Sequence, residues 1–229
     1  EQKASPSKAV PVLSVFSKLS QSDTDQWNAE QIQFFVIYCC MVYNTCGKAR
    51  DLLNDLIKIG QNDLQKKYQN GATPDLMEIR ELYLSIEEQC LQLVRAAVMD
   101  KFEAIFRFER HQNWQLDQYK TELVSCIDTY LANVTKLLSP AAMEHFYKIF
   151  CAHFALKLFF RILHSNTLSS SNQNSGSVLI DFPPIFESIV LKKVPARIIK
   201  KMQIYISRCM NPVVNLVQLA YSNAGDKYT

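Results

Sequence analysis

Apolar residues recur along this chain at intervals of three and four, the signature of helices with one buried face. From Trp27 to about Ile59 the run is Ile32, Phe35, Val36, Cys39, Val42, Tyr43, Cys46, Leu52, Leu53, Leu56 and Ile57. Asp23 or Asp25 is placed to cap its start, and Gly60 to end it. Asn70-Gly71-Ala72-Thr73-Pro74 breaks the pattern, with Thr73 as N-cap and Pro74 in the first helical position. A second helix is predicted from there to about Arg110, through Ile79, Leu82, Ile86, Cys90, Leu93, Val94, Ala97, Val98, Phe102, Ile105 and Phe106. At about 35 residues it would measure about 50 Å, longer than a compact globule is wide.

Trp114 to Leu138 gives a third helix, on Leu116, Tyr119, Leu123, Cys126, Ile127, Tyr130, Leu131, Val134 and Leu137. Ser139-Pro140 restarts the chain as cap plus helical proline, and a fourth helix follows to His164. Residues 165–177, nearly all Ser, Asn, Thr, Gln and Gly, read as a polar loop. Three shorter helices are expected over 178–191, 195–209 and 212–221, punctuated by prolines. No sustained period-two run announces a strand. The pattern therefore predicts an all-α fold, an elongated rod of stacked antiparallel helical bundles with four long helices followed by about three shorter ones. Its expected divisions are a linker-like segment at 1–25, a long-helix bundle at 26–164, the loop at 165–177 and a short-helix bundle at 178–229.

Composition supports that reading. Only 5 of 229 residues are Gly, against about 16 at average usage, which disfavours phosphate-cradling loops and tight hairpins. The first residue is Glu1, and residues 1–25 are rich in Ser, Lys and Pro. Together these predict that the chain is the terminal piece of a longer rod. The 7 cysteines are odd in number and contain no C-x-x-C, so reduced, buried thiols are expected.

The search for chemistry yields little. His111, His145, His153 and His164 include no i,i+4 pair, and no carboxylate completes a cage with them. Cys151 and His153 are close in sequence, but residues two apart on a helix point apart. Acidic pairs such as Glu87-Glu88 or Glu103 with Glu109 read as solvated faces. Nucleophile-elbow, Walker and dinucleotide fingerprints are missing. The expectation is a non-enzymatic protein with no cofactor and no metal.

Charge is where the average misleads. Net charge is +3, yet from Ser188 onward Lys192, Lys193, Arg197, Lys200, Lys201, Arg208 and Lys227 face a single acid, Asp226. That segment carries +6 and the rest of the chain −3. Lys193, Arg197, Lys200, Lys201 and Arg208 share a helical face opposite Ile198, Met202, Tyr205, Ile206 and Cys209. With Lys192 they form a candidate interaction patch for an acidic partner or an anionic membrane surface, or a solvated face. Nucleic acid is not expected, because aromatic interleaving and an overall basic balance are lacking.

Ile37-Tyr38-Cys39-Cys40-Met41-Val42-Tyr43-Asn44-Thr45, leading into Ala49-Arg50-Asp51-Leu52-Leu53-Asn54-Asp55-Leu56, resembles a stretch in multisubunit vesicle-tethering proteins. The later segments Tyr119 to Val124, Phe150 to Ala155, Leu179-Ile180-Asp181 and Ile189-Val190-Leu191, with Pro195, Met210 and Leu216, extend it in consistent order. The order resembles the helical-rod (CATCHR-type) tethering family. Within it, the chain is similar to the C-terminal half of a subunit of the Golgi-associated retrograde protein (GARP) complex. The resemblance implies a non-catalytic subunit acting in endosome-to-Golgi retrograde transport on the cytoplasmic face of the trans-Golgi network and endosomes. Its implied partners are other tethering-complex subunits, SNARE proteins and a small GTPase; an exocyst-like tether of the same fold is the alternative.

Overall fold

A computed structural model describes residues 27–67, 76–102, 116–164 and 173–225. Among these the chain forms seven α-helices and one short 3-10 turn, with no strand. The helices are α1 (Ala29–Lys67), α2 (Leu76–Lys101), α3 (Leu116–Tyr130), α4 (Ala132–Leu137), α5 (Pro140–His164), α6 (Gln173–Leu191) and α7 (Ile199–Gly225), with the 3-10 turn at Ala196–Ile198.

Cross-contacts fix the directions. Arg50 meets Glu87 while Lys101 reaches Trp27, so α1 and α2 are antiparallel. Gln33 and Asn44 on α1 reach residues 129 and 137 in the same order, so α3 and α4 run parallel to α1. Likewise α2 is parallel to α5, through Glu88 to His145 and Arg95 to His153. Each long helix therefore reverses its predecessor, as the short connections dictate. The result is a stack in which α1 pairs with α2 and α6 with α7, α3 and α4 lie along α1, and α5 packs against both α7 and α2. The predicted all-α bundle is the observed fold.

One apolar cluster runs through the stack, from Ile32 to Val217. Its centre is aromatic. Phe146, Phe150 and Phe154 recur every four residues on α5, forming a single ridge. Phe182 and Phe186 from α6 stack on it, with Phe154 and Phe186 ring centroids 4.3 Å apart, and Phe102 closes it edge-on at 5.4 Å from Phe150. Burial of rings like these supplies about 1.5–3 kcal/mol each, far more than helix propensity could.

Several boundaries differ from the sequence expectation, each for a physical reason. The cap of α1 is Asn28, in a reciprocal capping box: the Gln31 backbone N–H donates to Asn28 Oδ1 and the Asn28 N–H to Gln31 Oε1, both at 2.9 Å. Asp23 and Asp25 lie outside the described residues. Gly60 does not end α1, which runs on to Lys67. A lone glycine costs a helix only about 1 kcal/mol, and nothing else crowds this position.

The second helix stops at Lys101 rather than Arg110, tightened by an i→i−3 bond from Phe102 N–H to the Met99 carbonyl. At 26 residues it spans about 39 Å. Thr73, Pro74 and residues 103–115 lie outside the described residues. The third predicted helix bends at Leu131, splitting α3 from α4. The Thr135 hydroxyl bonds back to the carbonyls of Leu131 at 2.9 Å and Ala132 at 3.0 Å, a contact known to bend helices. The fourth helix begins as expected at Ser139-Pro140, where the Ala142 N–H donates to Ser139 Oγ at 3.3 Å.

Prolines prove less disruptive than expected. Residues 173–177 of the predicted polar loop belong to α6, and Pro183 and Pro184 lie well inside that helix. The predicted helices 195–209 and 212–221 merge into α7, with Pro212 internal. An internal proline forfeits one backbone bond, which the buried Met210, Val213 and Val217 around Pro212 offset by packing. Pro195 does act as a stop, capping the 3-10 turn.

Candidate interaction surfaces

The basic segment sits at the α6–α7 corner. Lys192 and Lys193 lie in the turn closed by Lys193 N–H to the Val190 carbonyl at 2.9 Å. Buried Val194 and Ile198 pin that turn to the core. Along α7, Ile198, Met202, Ile206, Met210, Val213 and Val217 are buried. That spacing of threes and fours turns Arg197, Lys200, Lys201 and Arg208 to solvent.

Two of the six predicted residues are held in ion pairs. Lys193 is half-buried and ion-paired with Asp128 of α3. Lys201 donates to Glu144 Oε1 of α5 at 2.6 Å, and Lys148 reaches the same oxygen at 2.5 Å. Bonds from Lys148 and Lys201 hold the Glu144 carboxyl below the usual carboxylate range, and Glu144 in turn raises Lys201. Lys192, Arg197, Lys200 and Arg208 stay exposed. Tertiary folding thus brings acids of the −3 part of the chain against the +6 part.

Packing also adds a residue that the sequence did not single out. A groove of about 330 Å³ lies between α3 and α6, with Val124, Pro184, Ile185 and Ile189 as its apolar walls. Lys120, Lys192 and Lys193 stand at its edge with Ser188. Lys120 is 72 residues from Lys192 in sequence, so no local signal pairs them. The groove suits a chain that offers apolar side chains and negative charge together.

The interior holds polar pairs of a structural kind. Glu87, read from sequence as solvated, is buried, and its Oε2 accepts from Arg50 Nη1 at 2.8 Å. Desolvation raises its carboxyl, opposed by the Arg50 charge. Its Oε1 has no hydrogen-bond partner among the described residues. Glu103 and Glu109 lie outside the described residues. The His153 ring accepts at Nδ1 from Arg95 Nη1, 3.0 Å away. A guanidinium can only donate, so that nitrogen carries no proton.

No thiol–imidazole pair forms, because Cys151 is wholly buried beside Tyr147 and Cys209 while His153 serves Arg95. Burial pushes Cys40 and Cys90 up to about 12 and Cys126 to about 11, which holds them as unreactive thiols. Among the described residues no group of three His, Cys, Asp or Glu could hold a metal ion. His145 pairs with Glu88 at 3.2 Å, and His164 donates to the Phe160 carbonyl at 2.7 Å. His111 lies outside the described residues. Among the described residues no helix is long and apolar enough to cross a membrane.

Residues 12–181 match the family model of Sec6, exocyst complex component Sec6, and the chain belongs to that family. The match makes it a subunit of the non-enzymatic, multisubunit tether class, with other complex subunits as its partners. The family matched is an exocyst component rather than the GARP subunit that the order of segments resembles. No curated protein and no solved structure matches the chain.

Proposed function

We propose that this chain is a rigid helical section of an exocyst-type vesicle-tethering subunit, which works by holding partner proteins at fixed places along its stack. The observation that carries the reading is the Sec6 family match over residues 12–181, joined to a single core that ties all the long helices into one body. Affinity purification of the full-length protein from its own cells, with identification of co-purifying subunits, tests it. Recovery of exocyst subunits supports the reading. Recovery of GARP subunits would transfer the protein to retrograde transport at the trans-Golgi network, and recovery of no tether subunit would overturn both.

A second reading concerns the basic corner. Lys192, Arg197, Lys200 and Arg208 remain exposed after Asp128 and Glu144 have engaged their neighbours. Each is worth about 1 kcal/mol near an anionic bilayer. Together the four would give membrane contact that is weak alone and useful within a complex. Changing all four to Glu should abolish salt-sensitive flotation with phosphatidylserine vesicles. Equal flotation of variant and wild type would show the corner to be a solvated face.

A further inference from the structure

Helix α1 carries two apolar faces, and only one is used by the core. Ile32, Val36, Cys39, Cys40 and Cys46 are buried. On the opposite side Phe34 is 73% exposed, Tyr38 49%, Met41 59%, Leu52 67%, Leu56 60% and Ile59 58%. Phe34, Tyr38, Met41, Thr45, Lys48, Leu52, Asp55 and Ile59 follow one another at alternating intervals of four and three, with Leu56 beside the line. All eight are exposed. That is a heptad seam, and it runs about 38 Å along the helix at 1.5 Å per residue. The six large side chains present on the order of 600–700 Å² of apolar surface, near the ~800 Å² that each partner of a stable complex buries. Patches above a few hundred Å² mark interaction sites.

Two charges in the seam specify the occupant. Lys48 and Asp55 stand at line positions that would face a partner helix, and Lys58 of the same helix reaches one Asp55 oxygen, Oδ1, at 3.4 Å and leaves the other open. A second copy of α1 fits them badly in the registers that match the most apolar pairs. In parallel pairing, Lys48 meets Lys48 and Asp55 meets Asp55. In the antiparallel register that sets Phe34 against Ile59 and Met41 against Leu52, Asp55 falls against Tyr38 and the two Lys48 ammonium groups crowd the centre. Like charges so placed oppose association.

We infer that the outer seam of α1 is the docking track for an amphipathic helix of another subunit of the same complex. That helix carries heptad-spaced apolar residues, with an acid opposite Lys48 and a base opposite Asp55. The inference rests on the tether reading above and adds the surface and the chemistry of the partner to it.

Site-directed photo-crosslinking tests it in the purified, assembled complex, with the reactive group at position 41 and, as a control, at 156 on the exposed side of α5. The expected result is a crosslink from position 41 to a helix of a different subunit. A paired experiment introduces Phe34→Ser with Leu52→Ser. Recovery of that one subunit should fall by about tenfold or more while the melting temperature of the isolated protein stays unchanged, because neither residue is buried. Lys48→Glu should weaken recovery too, and a reversed charge on the crosslinked partner helix should restore it. A crosslink to the same chain, to a second copy, or to nothing would overturn the inference, as would full recovery of every subunit with the Ser variants. If no tether subunits co-purify even with wild type, the tether reading itself fails, a result distinct from loss of one subunit.

Discussion

Replacing Phe154 with Ala is the sharpest test of the central stack. The ring is fully buried and lies 4.3 Å from Phe186, 5.9 Å from Phe182, 5.9 Å from Phe102 and 6.0 Å from Phe150, centroid to centroid. Its neighbours stand on α5 and α6 and at the turn that closes α2, whose backbones are held by their own contacts, so the space left cannot collapse easily. Loss of the side chain should therefore fall in the upper part of the usual range for such truncations, about 4–5 kcal/mol. For a body of this size each kcal/mol lowers the melting temperature by about 2–4 °C, giving a drop of about 8–20 °C. Phe160→Ala on the same helix, where the ring is 48% exposed, should cost about 1 kcal/mol at most. Thermal unfolding followed by circular dichroism, with urea titration as a second measure, reads both. A single cooperative transition that shifts as a whole is expected, since Phe154 joins α5 to α6. A loss below about 1 kcal/mol, or two transitions of which only one moves, would refute the shared aromatic core.

Three further outcomes follow from interior groups. Arg50→Ala should destabilise by about 3 kcal/mol because it leaves the buried Glu87 carboxylate unpaired, whereas the double change Arg50→Leu with Glu87→Leu should cost much less; urea midpoints distinguish them. Burial, with help from the Arg95 and Lys157 charges, lowers the pKa of His153, against the opposing pull of Asp100. The unfolded chain then takes up a proton near pH 6.5 while the folded one resists. The resulting stability is present above that pH and is lost as pH falls through the lowered folded value, and His153→Gln should remove this part of the pH dependence measured between about pH 7 and 5. Iodoacetamide at neutral pH should leave Cys39, Cys40, Cys90 and Cys151 unlabelled in the folded protein and label all four in guanidinium, as peptide mass spectrometry would show.

Periodicity carried the helices because each long one must bury a stripe, and that requirement is written at intervals of three and four. Where one helix face was counted, though, α1 has two. Leu52 and Leu56 continue the apolar list of Ile32, Val36 and Cys39, but they have turned to the far side by that point in the helix. Punctuation was harder to read. Gly60 costs its helix only about 1 kcal/mol, and the penalties of Pro183, Pro184 and Pro212 are offset by buried neighbours such as Phe182, Phe186, Met210 and Val213. The Asn28–Gln31 capping box competes in the sequence with the upstream acids Asp23 and Asp25, and local pattern alone does not rank them. The basic segment was legible as a list, but its charge balance was not. Asp128 and Glu144 reach it, and Lys120 joins its groove, only through packing between helices distant in sequence.

Two side-chain amides of α1 bear on how such a stack carries load. Gln33 Nε2 donates to the Thr129 carbonyl at 3.0 Å and Asn44 Nδ2 to the Leu137 carbonyl at 2.8 Å, on either side of the bend at Leu131. Greasy helix faces slide past one another at little cost, so apolar packing alone resists separation better than shear. These two bolts, about 16 Å apart along α1, fix the axial alignment of α1 against α3 and α4. A slip of one helical turn, about 5.4 Å, would strip both amides and both carbonyls of their partners at once. A strut pulled along its length between two anchored ends needs resistance of that kind, and here two uncharged residues add to it beside the Glu88–His145 and Arg95–His153 pairs between α2 and α5.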